Sequence, residues 1–143
     1  MNANHGRILA VDLGEKRLGI AISDPTGTIA SPLKVLAHVS RAADAAAIAA
    51  LASAEQAVKI VLGQALDAEG GLTPQAKHAA RVAEAIREYT EIPVELWDES
   101  GSTQAARAAR IAMGVSRSKR SGHLDEIAAT VILQSYLDAH IDG

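Results

Sequence analysis

Carboxylates stand at three places where an apolar run begins or ends: Asp12 closes "RILAVD", Asp98 and Glu99 close "IPVELWDE", and Asp125 opens "LDEIAATVILQSYLDA". Acids far apart in sequence but gathered at element ends suit a hard divalent cation, because Mg²⁺ takes oxygen ligands and keeps several waters. Two such ions about 3.5–4 Å apart would clamp the attacking and leaving oxygens of a phosphodiester, with Asp12 as the bridging ligand. The plainer reading of Asp12 is a solvated turn aspartate. Of the adjacent pair only one acid can face a shared site, and Asp98 is the weaker candidate. On a helix Asp125 shares a face with Ala129, Ile132 and Tyr136, and a carboxylate on an apolar stripe is costly without a partner. Its plainer reading is a first-turn acid favoured by the helix dipole.

Cations that could hold a phosphate chain fall in three groups. Lys16 and Arg17 lie in the first turn, Arg107 and Arg110 lie three apart on one helix face, and Arg117, Lys119 and Arg120 lie in "VSRSKRSG". That last stretch has no acid between Gly114 and His123. His123, two residues before Asp125, could reach a phosphate or a water, although a histidine near a helix start is more often a cap or exposed. Ordinary solvated cations are the competing reading for each basic residue.

The elements that must position these groups follow from periodicity. "RILAV" and "RLGIAIS" around Gly14 read as an antiparallel hairpin, and "LKVLAHV" after Pro32 as a third strand. The Ala-rich "RAADAAAIAALASAEQ" favours a helix, and "VKIVLG" reads as a strand buried on both faces. A helix opens at Thr73 as N-cap with Pro74 in the first helical position. "IPVELWDES" is the fifth strand, a helix runs from about residue 102 to 113, the basic segment forms a loop, and a last helix starts near Leu124. The order predicts an α/β domain over residues 1–143, a mixed five-stranded sheet flanked by helices.

Composition narrows the chemistry. The chain has 143 residues, no cysteine, and only 2% aromatic residues, with no Phe. Thiol nucleophiles and thiolate metal sites are thereby excluded, and base stacking on aromatic platforms is nearly so. A net charge of −3 argues against a general nucleic-acid coat but permits a local basic patch. With neither a signal-type apolar start nor a membrane-length run, a cytoplasmic protein without membrane contact is expected.

The chain resembles the YqgF, or RuvX-like, family of the ribonuclease H-like superfamily. The resemblance rests on "ILAVDLGEKRLGIAISD", "IVLGQALDAEGG" leading into "TPQA", "VELWDES", and "GVSRSKRSGHLDEIAATVILQSYLD" in that order. It implies a ribonuclease H-like fold with Mg²⁺- or Mn²⁺-dependent cleavage of nucleic acid, on precursor 16S ribosomal RNA, hence a pre-ribosomal partner, or on Holliday junctions. Asp12, Glu99 and Asp125 fall at the family's acidic active-site positions. Departures stand beside the match: Ser100 and Gly101 replace a cation and an apolar residue, Gln64-Ala65 stands where Leu-Pro is usual, and Asp67 where Asn is usual. They leave the acid trio intact and bear on substrate contacts.

Two other readings fit parts of the sequence. "DLG" before a returning strand is similar to the phosphate loop of the sugar kinase, actin and Hsp70 superfamily, whose members bind ATP between two such domains. A non-catalytic module docking on ribosomal precursors is the other, although it gives no reason to keep three acids. RNA or DNA substrate, end or internal cleavage, and monomer or homodimer all stay open at this level, because fold does not fix substrate.

Overall fold

A computed structural model describes residues 6–64, 66, 68–98 and 120–140, the last segment with its side chains from residue 127 on. Strands β1 (Arg7–Leu13), β2 (Arg17–Ser23) and β3 (Ala30–Ala37) precede helix α1 (Arg41–Ala54). Strand β4 (Ala57–Gln64), helix α2 (Pro74–Arg87), strand β5 (Val94–Asp98) and helix α3 (Arg120–His140) follow. The sheet order is β3-β2-β1-β4-β5. β1 and β3 run antiparallel to β2, whereas β4 runs parallel to both β1 and β5.

Alternation along the strands divides the core in two. Leu9 and Val11 of β1, Leu18 and Ile20 of β2, and Ile60 and Leu62 of β4 pack with Ile48 of α1 and Val82 and Ile86 of α2. Ile8, Ala10, Ala21 and Val61 point the other way and pack with Ala129, Ile132, Leu133 and Tyr136 of α3. The result is three layers, with α1 and α2 on one face and α3 on the other. A core built this way from Ala, Leu, Ile and Val needs no Phe, and small alanines let helix and sheet approach closely.

Local chemistry sets the helix starts. The Ser40 hydroxyl accepts from the Ala43 N–H at 3.1 Å, and the Thr73 hydroxyl accepts from the Ala76 N–H at 3.0 Å, with Pro74 directly after it. Each satisfies a backbone donor that the helix cannot pair internally.

Three expectations change. β3 begins at Ala30 and includes Pro32, tolerated because β3 is an edge strand, and its register slips between Ile20 and Ala21. Helix α3 begins at Arg120 rather than near Leu124, so Arg120 and His123 belong to a helix and not to the basic loop. Asp125 therefore lies beyond the first turn, which contains no acid, and the helix dipole does not account for it. Ser121 and Gly122 are weak helix formers, and the helix takes them in because propensity yields to the packing of the long apolar stripe that follows. The helix expected over residues 102–113 lies outside the described residues.

Candidate active site

β1, β4 and β5 are parallel and finish at one edge of the sheet, at Leu13, Gln64 and Asp98. Open α/β sheets bind ligands beyond the carboxyl ends of their strands. Asp12, half-buried, is next to last in β1 and continues the Ile8–Ala10 alternation, which puts it on the α3 face. Its cross-strand neighbour in β2 is Gly19. On the β4 side, one step beyond the Val11–Leu62 pair, stands Gly63. Glycine thus stands beside Asp12 in both neighbouring strands.

The turn after Asp12 is built for close approach. The Gly14 N–H donates to the Arg17 carbonyl at 3.0 Å, and a Cβ at Gly14 would lie 2.5 Å from that oxygen. Only glycine closes this turn without moving the backbone. Lys16 and Arg17, both exposed, are thereby held at the edge where Asp12 lies. The Lys16 carbonyl accepts from the His38 N–H at 2.9 Å, which ties the hairpin to the link between β3 and α1.

Helix α3 is fixed at its far end. The Tyr136 hydroxyl lies 2.8 Å from Lys59 Nζ and 2.9 Å from Glu95 Oε1, and Lys59 and Glu95 pair at 3.1 Å. The tyrosine ring meets Trp97 edge-on at 5.2 Å and stacks on His140 at 4.1 Å. Trp97 is thus a packing residue. The bond to Tyr136 raises the Lys59 pKa against the effect of burial, with Glu95 helping. For Glu95 burial acts upward, but the bonds from Lys59 and Tyr136 together hold it below the usual range. Burial pushes the Tyr136 hydroxyl up. A lysine inside the apolar run "VKIVLG" is the sequence signal for this cluster.

The direction of α3 follows from its contacts. Gln134 donates to the Thr28 carbonyl at 3.0 Å and accepts from the Ala30 N–H at 3.0 Å. Ala30 pairs with Ser23, and Lys59 pairs with Ile8, so residues 134–136 lie over the edge where β1 begins. Residues 128, 129 and 131–133 are buried, so the helix crosses the sheet instead of leaving it. From Tyr136 back to position 125 the helix rises about 16 Å, against about 13 Å from Ile8 to Asp12 along β1. Position 125 is one turn before Ala129 on the stripe that packs on the sheet.

The remaining sequence candidates divide as follows. Asp98 is exposed at the end of β5 and follows the alternation of Val94 and Leu96, on the face opposite Asp12. Glu99, Arg107, Arg110, Arg117 and Lys119 lie outside the described residues. Arg120, His123 and Asp125 are placed by their backbone alone, within α3. Among the described residues no three acids or histidines form a metal-binding group. Nor, among them, is any helix long and apolar enough to cross a membrane.

Comparison with known proteins bears on the whole chain. The RuvX family, described as Holliday junction resolvase, matches residues 6–139. A relative from Rhodopseudomonas palustris (strain BisB5) is 41% identical over 93% of this chain and 83% of its own. Another from Clostridioides difficile (strain 630) is 38% identical over 96% of this chain and 98% of its own. Both carry the provisional name pre-16S rRNA nuclease. In fold, the chain is similar to Thermus thermophilus RuvC in complex with a Holliday junction substrate, with a TM-score of 0.58 at 15% identity, covering 96% of each chain. It is likewise similar to the fowlpox virus Holliday junction resolvase, with a TM-score of 0.56 at 18% identity, covering 93% of this chain and 99% of that one. A family match over nearly the full length, with relatives near two-fifths identical, means that this α/β chain belongs to the RuvX family of nucleases.

Proposed function

We propose that the chain is a divalent-metal-dependent nuclease that hydrolyses phosphodiester bonds in precursor 16S ribosomal RNA. The observation that carries this reading is Asp12 at the carboxyl edge, on the α3 face, between Gly19 and Gly63. A carboxylate at this edge, with glycine beside it in both neighbouring strands, fits a hydrated cation, since Mg²⁺ and Mn²⁺ take oxygen ligands and retain waters. Asp12, Glu99 and Asp125 would hold two such ions. Of the acid pair after β5, Asp98 follows the other face, which favours Glu99 as the ligand and leaves Asp98 an accessory role.

When bound, the metal would supply a water acidic enough to attack at neutral pH and neutralise the departing oxygen. The chain's own residues do the positioning. Lys16 and Arg17, fixed by the Gly14 turn, receive phosphates beside Asp12, with Arg107, Arg110, Arg117, Lys119 and Arg120 continuing the basic surface. His123, just before Asp125 on α3, is an accessory candidate for orienting a phosphate or water. The physiological setting proposed is the cytoplasm, on a pre-ribosomal particle, in one nuclease domain that acts as a monomer or a homodimer.

The description of the family as Holliday junction resolvase supports a second reading, cleavage of branched DNA. One preparation in Mg²⁺ or Mn²⁺ should be given precursor 16S RNA, single-stranded DNA and a four-way junction in parallel. Cleavage of the RNA precursor at discrete positions is the expected result. Cleavage of the junction alone would replace this reading with the second, and no cleavage of any of the three would overturn the nuclease assignment.

A further inference from the structure

On the face opposite Asp12, helices α1 and α2 present three cations that form no ion pair among the described residues. Both helices start at the carboxyl edge, since α1 follows β3 and α2 follows β4. Arg41 is the first residue of α1, Lys77 lies at the start of α2 and Arg81 one turn further on, all three exposed. His78 is half-buried between them, and His38 stands just before α1.

Two features bear on what these residues can bind. First, some basic residues are paired, Arg7 with Glu55, Lys59 with Glu95, and Arg87 with Glu84, whereas exposed Lys34 has no ion-pair partner among the described residues. Arg41, Lys77 and Arg81 have no ion-pair partner among the described residues. Asp44, the buried acid nearest them, is engaged by the His38 ring and by the Val39 N–H at 3.0 Å. Second, Arg41 and Lys77 stand at the starts of their helices, where the macrodipole disfavours positive charge, and the first turn of α2 contains no acid, whereas that of α1 contains Asp44. Burial first, then Arg41 and His38, hold the His78 pKa below its ordinary value, and Asp44 acts against them. Cations gathered without paired acids repel one another, and a bound polyanion would offset that repulsion.

The geometry points to a second phosphate-binding surface, formed by Arg41, Lys77 and Arg81, that holds the nucleic-acid substrate where it continues past the cleavage edge onto the α1–α2 face. It rests on the nuclease reading above. Continuity comes from the hairpin: Lys16 is bonded through its carbonyl to His38, three residues before Arg41, so the cations at the Asp12 edge and those on α1 and α2 share one rim. Lys77 and Arg81, about 6 Å apart on one helix face, match the spacing of successive phosphates. The surface therefore binds flanking backbone, in single or double strands, and reads no bases.

The test measures binding, not cleavage, using the full chain with Ca²⁺ in place of Mg²⁺. Affinity is followed over a salt series for wild type and for Arg41→Ala/Lys77→Ala/Arg81→Ala. Short and extended versions of the same RNA, and of a duplex, are compared. Each phosphate contact contributes about 0.7 to the slope of log K against log salt for single strands and about 0.9 for duplex. Wild type should gain about two to three units of slope on the extended ligand, and the triple variant should lose that gain. The charge-preserving Arg41→Lys/Lys77→Arg/Arg81→Lys protein should retain it, which separates lost charge from lost fold. Equal slopes for wild type and the alanine variant on extended ligands would overturn the second surface and leave the nuclease reading standing. Wild type that binds neither length of either ligand would remove both.

Discussion

Replacing Tyr136 with phenylalanine tests how α3 is fastened to the sheet. The ring is buried at 2% exposure, and its hydroxyl bridges Lys59 and Glu95 at 2.8 and 2.9 Å. A hydrogen bond to a charged group contributes about 1.5–3 kcal/mol. Lys59 and Glu95 keep their own contact at 3.1 Å, and their side chains are 32% and 40% exposed, so water repairs part of the loss. The expected cost of Tyr136→Phe is therefore about 1–2 kcal/mol, or about 3–6 °C in Tm for a chain of this size. Tyr136→Ala also removes the ring from Trp97 and His140 and should cost about 3–5 kcal/mol. Urea denaturation of both variants, with a double-mutant cycle against Lys59→Met, measures the bridge directly. The sign with pH follows from Glu95: its pKa is held down in the fold, so its contribution is present above the ordinary carboxylate pKa and fades as pH falls through the folded one. A phenylalanine variant as stable as wild type, beside a strongly destabilised alanine variant, would show that packing alone anchors the helix and refute the hydroxyl bridge.

Asp12→Asn should remove metal-dependent cleavage by at least about a hundredfold while keeping the fold, because the swap preserves shape and deletes the charge that would hold the cation; wild-type rates in matched Mg²⁺ or Mn²⁺ refute the site. Divalent ions should stabilise the wild-type chain by about 1.4 kcal/mol at ten times Kd, and not the Asp12→Asn variant, as read from melting in a metal titration. Burial, with Arg41 and His38 nearby, holds the His78 pKa below its ordinary value. The folded chain thus takes up this proton less readily than the unfolded one, and stability falls as pH drops below about 6.5. His78→Gln should flatten that fall in urea midpoints measured from about pH 7 to about pH 5, and an unaltered profile contradicts the assignment.

Much of this was legible in the residues themselves. Asp12 at the end of an aliphatic run, the Gly14 turn and the Thr73-Pro74 helix start are consequences of local chemistry, and each stands where the sequence puts it. The stripe of Ala129, Ile132 and Tyr136 follows from helical period alone. The start of α3 was not legible, because Ser121 and Gly122 argue against a helix that distant packing enforces. Nor could the sequence choose the faces. That Asp12 and α3 share one side of the sheet while Arg41, Lys77 and Arg81 crowd the other depends on the strand order β3-β2-β1-β4-β5. Lys59, Glu95 and Tyr136 meet for the same reason, 77 residues of chain separating the first from the last. Period and capping act over a few residues and are written in them, whereas strand order and the side each helix takes are set by burying apolar surface between segments far apart in the chain.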